Sequence, residues 1–466
     1  MIQSYQILIQ LYQRRIVRRL ALWASCLAQL IVVLDVSVVN VALPSLQTDL
    51  GLDRVAASWV AMAYTLGFAG VLLVGARLAD VVGTARLLAW GVAAFTLASV
   101  AGGLATQGWV LIAARAAQGL SAAVVSPATF TLLTATHAEG PDRTRAITVW
   151  TAVSLAGGGI GTVAGGLLTD LVSWRATLLV NLPIGAMVAG AAWALHRRSG
   201  ERHRPGRIDL VGAGLATGAF TGATYALSTG LPVTPSLVTG ALFVLLVIQQ
   251  RRTRHRLVPS RLLRNRTIVL GNIAVALTGA CFQVALWYFL TYRMQTRLGY
   301  SPIEAGVAFL PLTVAMLAVN LWLTPRLLAR HTPRTLVMAG VVVAVPGLLW
   351  LTVVDHGSFV LAVGVPSVLV GAGGGLLNTP LATLVTTGVR PEHGGAASGL
   401  MNTAKQFGGA VGLAAGSAVA TAGTDRAAFA LLAAALVAAA AVVTGLRTPC
   451  RWSNWTPSPS RRSPRP

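Results

Sequence analysis

Fourteen apolar segments, separated by short polar loops, make up most of this chain of 466 residues. A helix needs about 20 mostly apolar residues to cross the hydrocarbon core of a bilayer, and most of the segments approach or exceed that length. They are residues 20–45, 55–76, 86–104, 109–133, 145–169, 176–195, 208–228, 233–249, 268–292, 303–325, 335–354, 359–386, 395–421 and 427–446. Backbone groups in lipid must bond within their own segment, so each segment is expected to be a helix. The sequence therefore predicts an all-α integral membrane protein with 14 transmembrane helices.

Arginine and lysine alternate sharply between successive loops. One set of loops, together with both chain ends, carries 29 of the 36 Arg and Lys residues, and the other set carries four. Cytoplasmic loops of membrane proteins are enriched in these residues, so both termini are expected in the cytoplasm. The net charge of +23 would also suit a soluble nucleic-acid binder, but the number and length of the apolar segments argue against one. We expect the lipid bilayer, and no nucleic acid, as a partner.

The composition gives no sign of an enzyme, a metal site or a bound cofactor. Charged residues make up 11% of the chain and the mean hydropathy is +0.70, whereas soluble domains carry about 25% charged residues. The three cysteines, Cys26, Cys281 and Cys450, lie far apart. Lys405 is the only lysine and follows Ala404, so the Gly-Lys pair of a Walker A motif is absent. Energy for transport is therefore expected from an ion gradient rather than from ATP.

A faint internal repeat relates two parts of the chain. A shift of 250 residues aligns Pro141 and Gly158 with Pro391 and Gly408, although glycine and alanine are abundant enough for a chance match. Related halves packed around a central site are a common transporter design, which predicts a 6+2+6 arrangement. The predicted units are a cytoplasmic segment 1–19, a six-helix bundle 20–196, basic loops with an inserted two-helix unit 197–267, a second six-helix bundle 268–446, and a disordered basic cytoplasmic tail 447–466.

Asp35 is the only carboxylate in the sequence that lies well inside an apolar segment. The other twelve Asp and Glu residues lie in loops or at segment ends, and so do all seven histidines. A charge near mid-membrane costs about 3 kcal/mol or more, so such a residue usually faces a cavity and has a function. We expect Asp35 to face a water-filled cavity and to bind a transported proton.

Six short motifs occur in order along residues 20–446. They are Leu34–Pro44, Gly75–Arg86, Arg115–Gly119, Gly157–Gly166 with Trp174-Arg175 and Asn181–Gly185, Gly299–Pro302 with Ala305-Gly306, and Gly399–Thr403. Together they resemble the major facilitator superfamily, and specifically its fourteen-helix branch of drug:proton antiporters. The sequence departs from the family pattern twice. Thr162 stands where the fifth-helix motif usually has proline, and only Arg86 remains of the basic cluster that usually ends the loop motif.

The resemblance implies the major facilitator fold, with two six-helix bundles plus an inserted helix pair, in a bacterial inner (plasma) membrane. It implies that Asp35 and Arg115 couple transport to protons. A cytoplasmic gate is implied for the loop motif, at Gly75, Arg77, Asp80, Gly83 and Arg86; a capped loop with solvated charges is the alternative. Tight packing that prevents leakage is implied for the fifth-helix motif, at Gly157, Gly161, Gly165 and Gly166. The first three of these glycines recur every four residues and share one helix face.

Asp35 and Arg115 are expected at comparable depths in the membrane. At 1.5 Å per residue, Asp35 lies roughly 13 Å below Pro44, and Arg115 lies roughly 10 Å into its own segment. An arginine keeps its proton and needs an acid, carbonyl groups or water as a partner. Arginine favours the charged form of a neighbouring Asp while burial favours the neutral form, and a proton carrier needs this competition. A fixed structural ion pair or a helix–helix hydrogen bond is the alternative.

Polar and aromatic side chains within the segments are candidates for lining a cavity that binds cargo. Tryptophan and tyrosine combine a large contact area with a polar group, which suits flat, apolar compounds. The candidates are Gln283, Trp287, Tyr288 and Tyr292 in the ninth segment, with Asn40, Gln118 and Asn378 elsewhere. Lipid-facing or interfacial positions are the alternative for the aromatic residues.

The sequence is thus interpreted as a monomeric, cofactor-free carrier that exports amphipathic drugs or antibiotics in exchange for protons by alternating access. The scarcity of polar residues favours neutral or cationic lipophilic cargo, although Arg115 and Arg293 would tolerate anions. A secondary carrier for a metabolite, peptide or siderophore is the first alternative. A non-transporting membrane sensor or assembly subunit is the second, although the sequence contains no soluble sensory domain.

Overall fold

The computed structural model describes residues 2–137, 140–198, 209–230, 232–253, 262, 264–354, 357–386, 389, 394–420 and 425–445, and no strand occurs among them. The first eight helices are α1 (Ile2–Asp49), α2 (Arg54–Val82), α3 (Thr84–Gly103), α4 (Gly108–Thr136), α5 (Pro141–Leu171), α6 (Trp174–Leu179 and Asn181–Arg198), α7 (Leu210–Ser228) and α8 (Val233–Arg252). The remaining six are α9 (Arg266–Phe282, Ala285–Tyr292 and a π-helical turn Arg293–Arg297), α10 (Pro302–Ala308, Leu310–Ala318, a π-helical turn Val319–Leu323 and Thr324–Leu328), α11 (Pro333–Val353), α12 (a π-helical turn Val360–Gly364 and Val365–Thr386), α13 (Gly394–Val419) and α14 (Arg426–Thr444).

The fourteen helices fall on the fourteen predicted apolar segments. Among the described residues, twelve of them are long and apolar enough to cross a membrane. The other two predicted segments correspond to α7, of 19 residues, and α13, of 26 residues. Local signals set several helix ends, such as the capping box that Ser301 and Glu304 form at the start of α10. The helices that end near Arg86, Arg326 and Arg334 define what we term the arginine-rich end, and the other side is the arginine-poor end.

The first helix is longer at both ends than expected. Its backbone is helical from Ile2, so the described part of segment 1–19 continues into the first span rather than forming a separate unit. Pro44 does not end the helix, which continues to Asp49. Asp35 therefore lies about 21 Å, rather than 13 Å, from the end of its helix at 1.5 Å per residue. The predicted tail 447–466 and the basic runs 199–208 and 254–261 lie outside the described residues.

Helices α1 to α6 pack into one bundle, in which the closest contacts join α2 with α4, α1 with α5 and α3 with α4. Glycines allow the backbones of α2 and α4 to touch. A β-carbon at Gly75 would lie 2.3 Å from the carbonyl oxygen of Ala123, and one at Gly119 would lie 2.1 Å from that of Tyr64. Small residues at such contacts let helices approach closely where no hydrophobic force drives them together.

Helices α9 to α14 form the second bundle, in which α11 packs on α12 and α14, and α9 packs on α13. The two most extensive contacts between the bundles are those of α2 with α13 and of α5 with α10. Under the 250-residue shift, α2 corresponds to α10 and α5 corresponds to α13. The contact of α2 with α13 is therefore the counterpart of the contact of α10 with α5. This pseudo-symmetry is what two related halves around a central axis should show.

The inserted pair α7 and α8 lies beside the contact between α2 and α13. Helix α7 packs on both bundles, whereas the main contact of α8 is with α7. A β-carbon at Gly70 of α2 would lie 2.0 Å from the Oγ1 atom of Thr217 in α7. On the other side, the ring of Phe220 lies 4.2 Å from the ring of Phe407 in α13. The pair is therefore attached to a contact between the two halves.

Candidate functional site

A cluster of five buried polar side chains lies inside the first bundle. Asp35 comes from α1, Ser99 from α3, Arg115 and Gln118 from α4, and Asn181 from α6. Each of them is at most 1% exposed. Four helices thus place polar groups at one point in an otherwise apolar interior, where an unpaired polar group would cost several kcal/mol.

The Asp35 carboxylate accepts hydrogen bonds from three side chains. Its Oδ2 atom accepts from the Nη1 atom of Arg115. Its Oδ1 atom accepts from the amide nitrogens of Gln118 and Asn181, each at 2.8 Å. Charge-assisted hydrogen bonds are stronger than neutral ones, and three of them stabilise the ionised carboxylate. The pairing of Asp35 with Arg115 that their depths suggested is therefore present.

Arg115 is held by three groups besides Asp35. Its Nη1 atom donates to Oε1 of Gln118 at 2.9 Å, and its Nε atom donates to the carbonyl oxygen of Val60 at 3.3 Å. Its guanidinium carbon lies 4.5 Å from the centre of the Tyr64 ring, a favourable cation–π arrangement. The Tyr64 hydroxyl in turn donates to the carbonyl oxygen of Val32 in α1. The guanidinium therefore connects α4 to both α1 and α2.

Ser99 completes the cluster from α3. Its hydroxyl accepts from the amides of Gln118, at 3.0 Å, and Asn181, at 2.9 Å, and donates to the carbonyl oxygen of Leu178. Each of the two amides thus donates one hydrogen bond to Asp35 and one to Ser99. The Oδ1 atom of Asn181 is a buried acceptor for which the structure shows no hydrogen-bond donor among the described residues. One acceptor in the cluster therefore remains available for a further proton.

Asp35 does not face a cavity in this conformation, contrary to expectation. Its side chain is 0% exposed, and neither of the two cavities described below is lined by it. The three donors occupy the positions that water would need. The carboxylate is therefore sealed from both membrane faces while its contacts hold together the helices of the cluster.

The glycine face of α5 packs directly on the stretch of α1 that carries Asp35. A β-carbon at Gly157 would lie 3.1 Å from the side chain of Leu30, and one at Gly165 would lie 2.8 Å from the backbone of Val38. This is the close backbone approach that the spacing predicted. Gly166, by contrast, faces the other bundle, where a β-carbon would lie 2.4 Å from the carbonyl oxygen of Pro302 in α10.

The loop motif is mostly helical. Arg77 and Asp80, expected in a short turn, lie on the last turns of α2, and their side chains lie outside the described ones. Gly83 alone links α2 to α3 and has a φ of 93°, a conformation that side chains disfavour. Arg86 is exposed near the start of α3. The gating role of these residues stays a prediction, while Gly75 and Gly83 have clear structural reasons.

The seven candidates for a cargo cavity do not lie together. Gln118 belongs to the Asp35 cluster, Asn40 is buried, and Gln283 packs on Gly409 of α13. The ring of Trp287 lies 4.9 Å from that of Phe309, and its indole nitrogen donates to the carbonyl oxygen of Phe282. Two others line a small cavity at the arginine-poor end, namely Tyr288 and Tyr292. Asn378 lines a second cavity in the C-terminal bundle.

This second cavity has a volume of about 120 Å³ and lies among α9, α10, α12 and α13. Asn378 and Leu381 line it from the last turns of α12, which ends at Thr386 on the arginine-rich side. Lys405, at the middle of α13, also lines it. The cavity is therefore in the half of the bundle nearer the arginine-rich end.

Contacts between the bundles close the arginine-poor end. The Tyr292 hydroxyl of α9 donates to Oε1 of Gln47 in α1, and the amide of Gln295 donates to the carbonyl oxygen of Val41 at 2.8 Å. Gly306 of α10 lies against α5 so closely that a β-carbon there would lie 2.5 Å from the carbonyl oxygen of Thr162. The smaller cavity at this end, of about 60 Å³, is lined by Tyr292 from α9 and by Arg54 from α2.

Asn181, Ser99 and Tyr64 were not expected in the site. Asn181 lies in one of the six motifs, but the resemblance implies no role for its side chain. Each is an uncharged polar residue within an apolar segment. Such residues are common in these segments, so this signal alone does not distinguish Asn181, Ser99 and Tyr64 from the others.

Residues 25–413 match the Major Facilitator Superfamily, and the chain belongs to this family of membrane transporters. It is 45% identical over 410 residues to the cephamycin export protein CmcT of Amycolatopsis lactamdurans, covering 84% of this chain and 83% of the relative. It is 39% identical over 412 residues to the puromycin resistance protein pur8 of Streptomyces alboniger, covering 85% and 80%. It is 35% identical over 407 residues to the multidrug resistance protein Stp of Mycobacterium tuberculosis (strain CDC 1551 / Oshkosh), covering 85% and 74%.

The fold is also that of a solved transporter. A crystal structure of a mutant of the nucleoside transporter NupG matches with a TM-score of 0.63 over 91% of this chain and 99% of NupG, at 14% sequence identity. At this identity the likeness concerns the fold alone. Family and fold together confirm the predicted all-α, multi-span membrane transporter with the major facilitator fold, and they confirm that the chain is a transporter rather than an enzyme.

Proposed function

We propose that this protein exports an amphipathic drug or antibiotic across a bacterial inner membrane in exchange for protons, with both termini in the cytoplasm. Relatives with 35–45% identity are named for antibiotic export, antibiotic resistance or multidrug resistance, which favours this cargo over a metabolite, peptide or siderophore. The charge distribution supports the orientation, because 29 of 36 basic residues would lie in the cytoplasm. The protein would act as a monomer, with the bilayer, its cargo and protons as partners.

Alternating access follows from the two pseudo-symmetric contacts between the bundles. The arginine-poor end is closed by contacts of α1 with α9 and of α5 with α10, while the larger cavity lies toward the arginine-rich end. With the proposed orientation, this conformation is closed to the outside. Rocking of the two bundles about the contacts between them would open the outer end and close the inner one.

The observation that carries the proton-coupling proposal is the hydrogen-bonded pair of Asp35 and Arg115 in the first bundle. The ionised carboxylate joins α1 to α4 and α6 in the present conformation. Protonation would remove the charge of Asp35 and weaken its hydrogen bond to Arg115. The guanidinium of Arg115 stays charged in either case. A protonated Asp35 would need an acceptor for its new O–H, and the unpaired Oδ1 atom of Asn181 lies on a side chain already bonded to Asp35.

The burial of the Asp35 carboxylate in this conformation supports a mechanism in which the conformation of the protein controls the access of protons to Asp35. A carrier that exchanged protons at both faces in one state would dissipate the gradient, so access to Asp35 must depend on how the helices are arranged. The tight glycine contact of α5 with α1 on both sides of Asp35 would keep water out. Opening of the outer end would separate the helices around Asp35 and admit a proton from outside.

Transport in inverted membrane vesicles tests this function. Acidification of the vesicle interior is expected to drive uptake of puromycin or a cephamycin by the wild type, and Asp35→Asn should reduce that uptake to the level of empty vesicles. Asp170→Asn, which changes an exposed acid at the end of α5, is the control and should transport like the wild type. Near-normal pH-driven uptake by Asp35→Asn, at equal amounts of inserted protein, would show that the Asp35–Arg115 pair is structural only.

A further inference from the structure

The only lysine of the chain lines the larger cavity. Lys405 lies at the middle of α13, and the other lining residues around it include Asn378, Asn402, Phe282 and Met316. Among the described residues, no acidic side chain lines this cavity. A positive charge is thus placed against apolar and amide groups near the middle of the second bundle, where a charge is costly unless it has a function.

The other interior cations of the described chain are compensated. Arg115 is bonded to Asp35, and Arg293 donates to the carbonyl oxygens of Leu351 and Val354. The Lys405 side chain, in contrast, has no hydrogen-bond or ion-pair partner among the residues that the structure describes. An ammonium has three donors, and a buried charge without a partner costs several kcal/mol. A cation kept in this state is suited to binding an anion that enters the cavity.

Tight packing fixes Lys405 at this place. A β-carbon at Gly279 of α9 would lie 2.4 Å from the carbonyl oxygen of Lys405, so the two backbones touch there. Gly374 of α12 similarly makes room for the ring of Phe282, to which a β-carbon would come within 2.7 Å. The backbone of Lys405 is therefore held by a rigid helix contact at the cavity wall. This limits the side-chain rotamers of Lys405 that must become ordered when cargo binds.

The amides beside Lys405 differ in their availability. Asn402 donates to the carbonyl oxygen of Ser398 at 3.0 Å and is partly occupied. Asn378, which lines the cavity from α12, has no hydrogen-bond partner among the described residues. An ammonium and an amide lining one cavity are the donors that a carboxylate needs, and Phe282 and Met316 add apolar surface to the same lining.

We propose that the cavity among α9, α10, α12 and α13 binds the carboxylate of an anionic amphipathic cargo, through the ammonium of Lys405 and the amide of Asn378. This inference rests on the proposed export function and deepens it. It differs from the expectation of neutral or cationic cargo because Lys405 lines the cavity. A neutral analogue of the same shape would keep the apolar contacts and lose the charge-assisted ones.

Binding of a matched pair of probes tests the inference. Equilibrium dialysis of the full chain in detergent against 1-naphthylacetate and its uncharged methyl ester measures the preference for the acid. The wild type should bind the acid about tenfold more tightly than the ester, and Lys405→Gln should weaken binding of the acid about tenfold while changing that of the ester less than about twofold. Lys405→Arg should restore most of the acid affinity, and Arg330→Gln, which removes an exposed charge outside the cavity, should change neither.

Unchanged acid affinity in Lys405→Gln would overturn the inference, and so would an equal loss for acid and ester. The measurement needs no proton gradient, so its outcome is separate from that of the export function. If coupled transport fails while the Lys405-dependent preference remains, the antiport proposal is wrong and the anion site stands.

Discussion

Gly161 of α5 lies directly against Ser37 of α1: a β-carbon at this glycine would lie 2.7 Å from the Cβ atom of Ser37 and 3.1 Å from the carbonyl oxygen of Leu34. Two residues away in α1 lies Asp35, the buried acid of the first bundle. The neighbouring Gly158 has room, since its β-carbon would meet only the Oγ atom of Ser37 at 4.0 Å. Helix α5 therefore offers a pair of glycines for one matched experiment.

Gly161→Ala is expected to impair the protein while Gly158→Ala is tolerated. The added methyl at position 161 must push α5 away from α1, at a cost of about 1–3 kcal/mol, and should admit water beside Asp35. Thermal unfolding of the purified variants measures the first effect, and passive proton leak into liposomes measures the second. Equal behaviour of the two variants would mean that the contact of α5 with α1 does not seal the acid.

Arg115→Lys is expected to lower proton-coupled transport about tenfold or more. One guanidinium reaches Asp35, Gln118 and the carbonyl oxygen of Val60 together, and a single ammonium cannot reproduce this planar arrangement. Arg175→Lys is the control, because Arg175 pairs with Asp49 at a partly exposed site where such pairs contribute little. Transport by Arg115→Lys at the wild-type rate would show that a positive charge alone is sufficient at this position.

Tyr292→Phe is expected to favour opening of the arginine-poor end. The variant loses the hydroxyl that donates to Gln47, a contact between α9 and α1 worth about 1 kcal/mol, which corresponds to a roughly fivefold shift in population. Spin labels at exposed positions of the two bundles report the distance between them at that end. The control Tyr225→Phe changes an exposed tyrosine of α7 and should leave the distances unchanged. No shift in Tyr292→Phe would show that this bond does not hold the end closed.

The proposed orientation predicts which thiols a membrane-impermeant reagent reaches in intact cells. A cysteine at Thr106, exposed between α3 and α4 at the arginine-poor end, should react, and one at Thr332, exposed before α11 at the other end, should react only after permeabilisation. Cys26 and Cys281 are buried, and Cys450 is replaced by serine in the background. The reverse pattern of labelling would place the arginine-rich loops outside.

The number and order of helices could be predicted from sequence because the bilayer requires long apolar helices and excludes most other backbones. The depth of a residue along its helix could also be predicted, and the sequence places Asp35 and Arg115 at comparable depths in the membrane. The sequence predicts the end of α1 at Pro44, which is too early: the helix continues to Asp49, because neighbouring helices in a bundle can compensate for the hydrogen bond that a proline removes.

Contacts between helices were harder to predict from the sequence. Spacing placed Gly157, Gly161 and Gly165 on one face of α5, but it gave no sign that Gly166 faces the other bundle. Which way a side chain points depends on helix rotation, which a uniformly apolar helix does not reveal. For this reason the sequence predicts neither the bond of Tyr292 to Gln47 at the closed end nor the position of Lys405 in a cavity lining.

Proton release on binding of cargo tests the central role of Asp35 most directly. A cephamycin is added to the detergent-purified protein in weakly buffered solution, and a pH-sensitive dye follows the protons released. The wild type should release protons on binding, at most one per bound molecule if Asp35 is their only source, and Asp35→Asn should bind the same compound and release none. Equal proton release by the two proteins would show that the exchanged proton resides elsewhere.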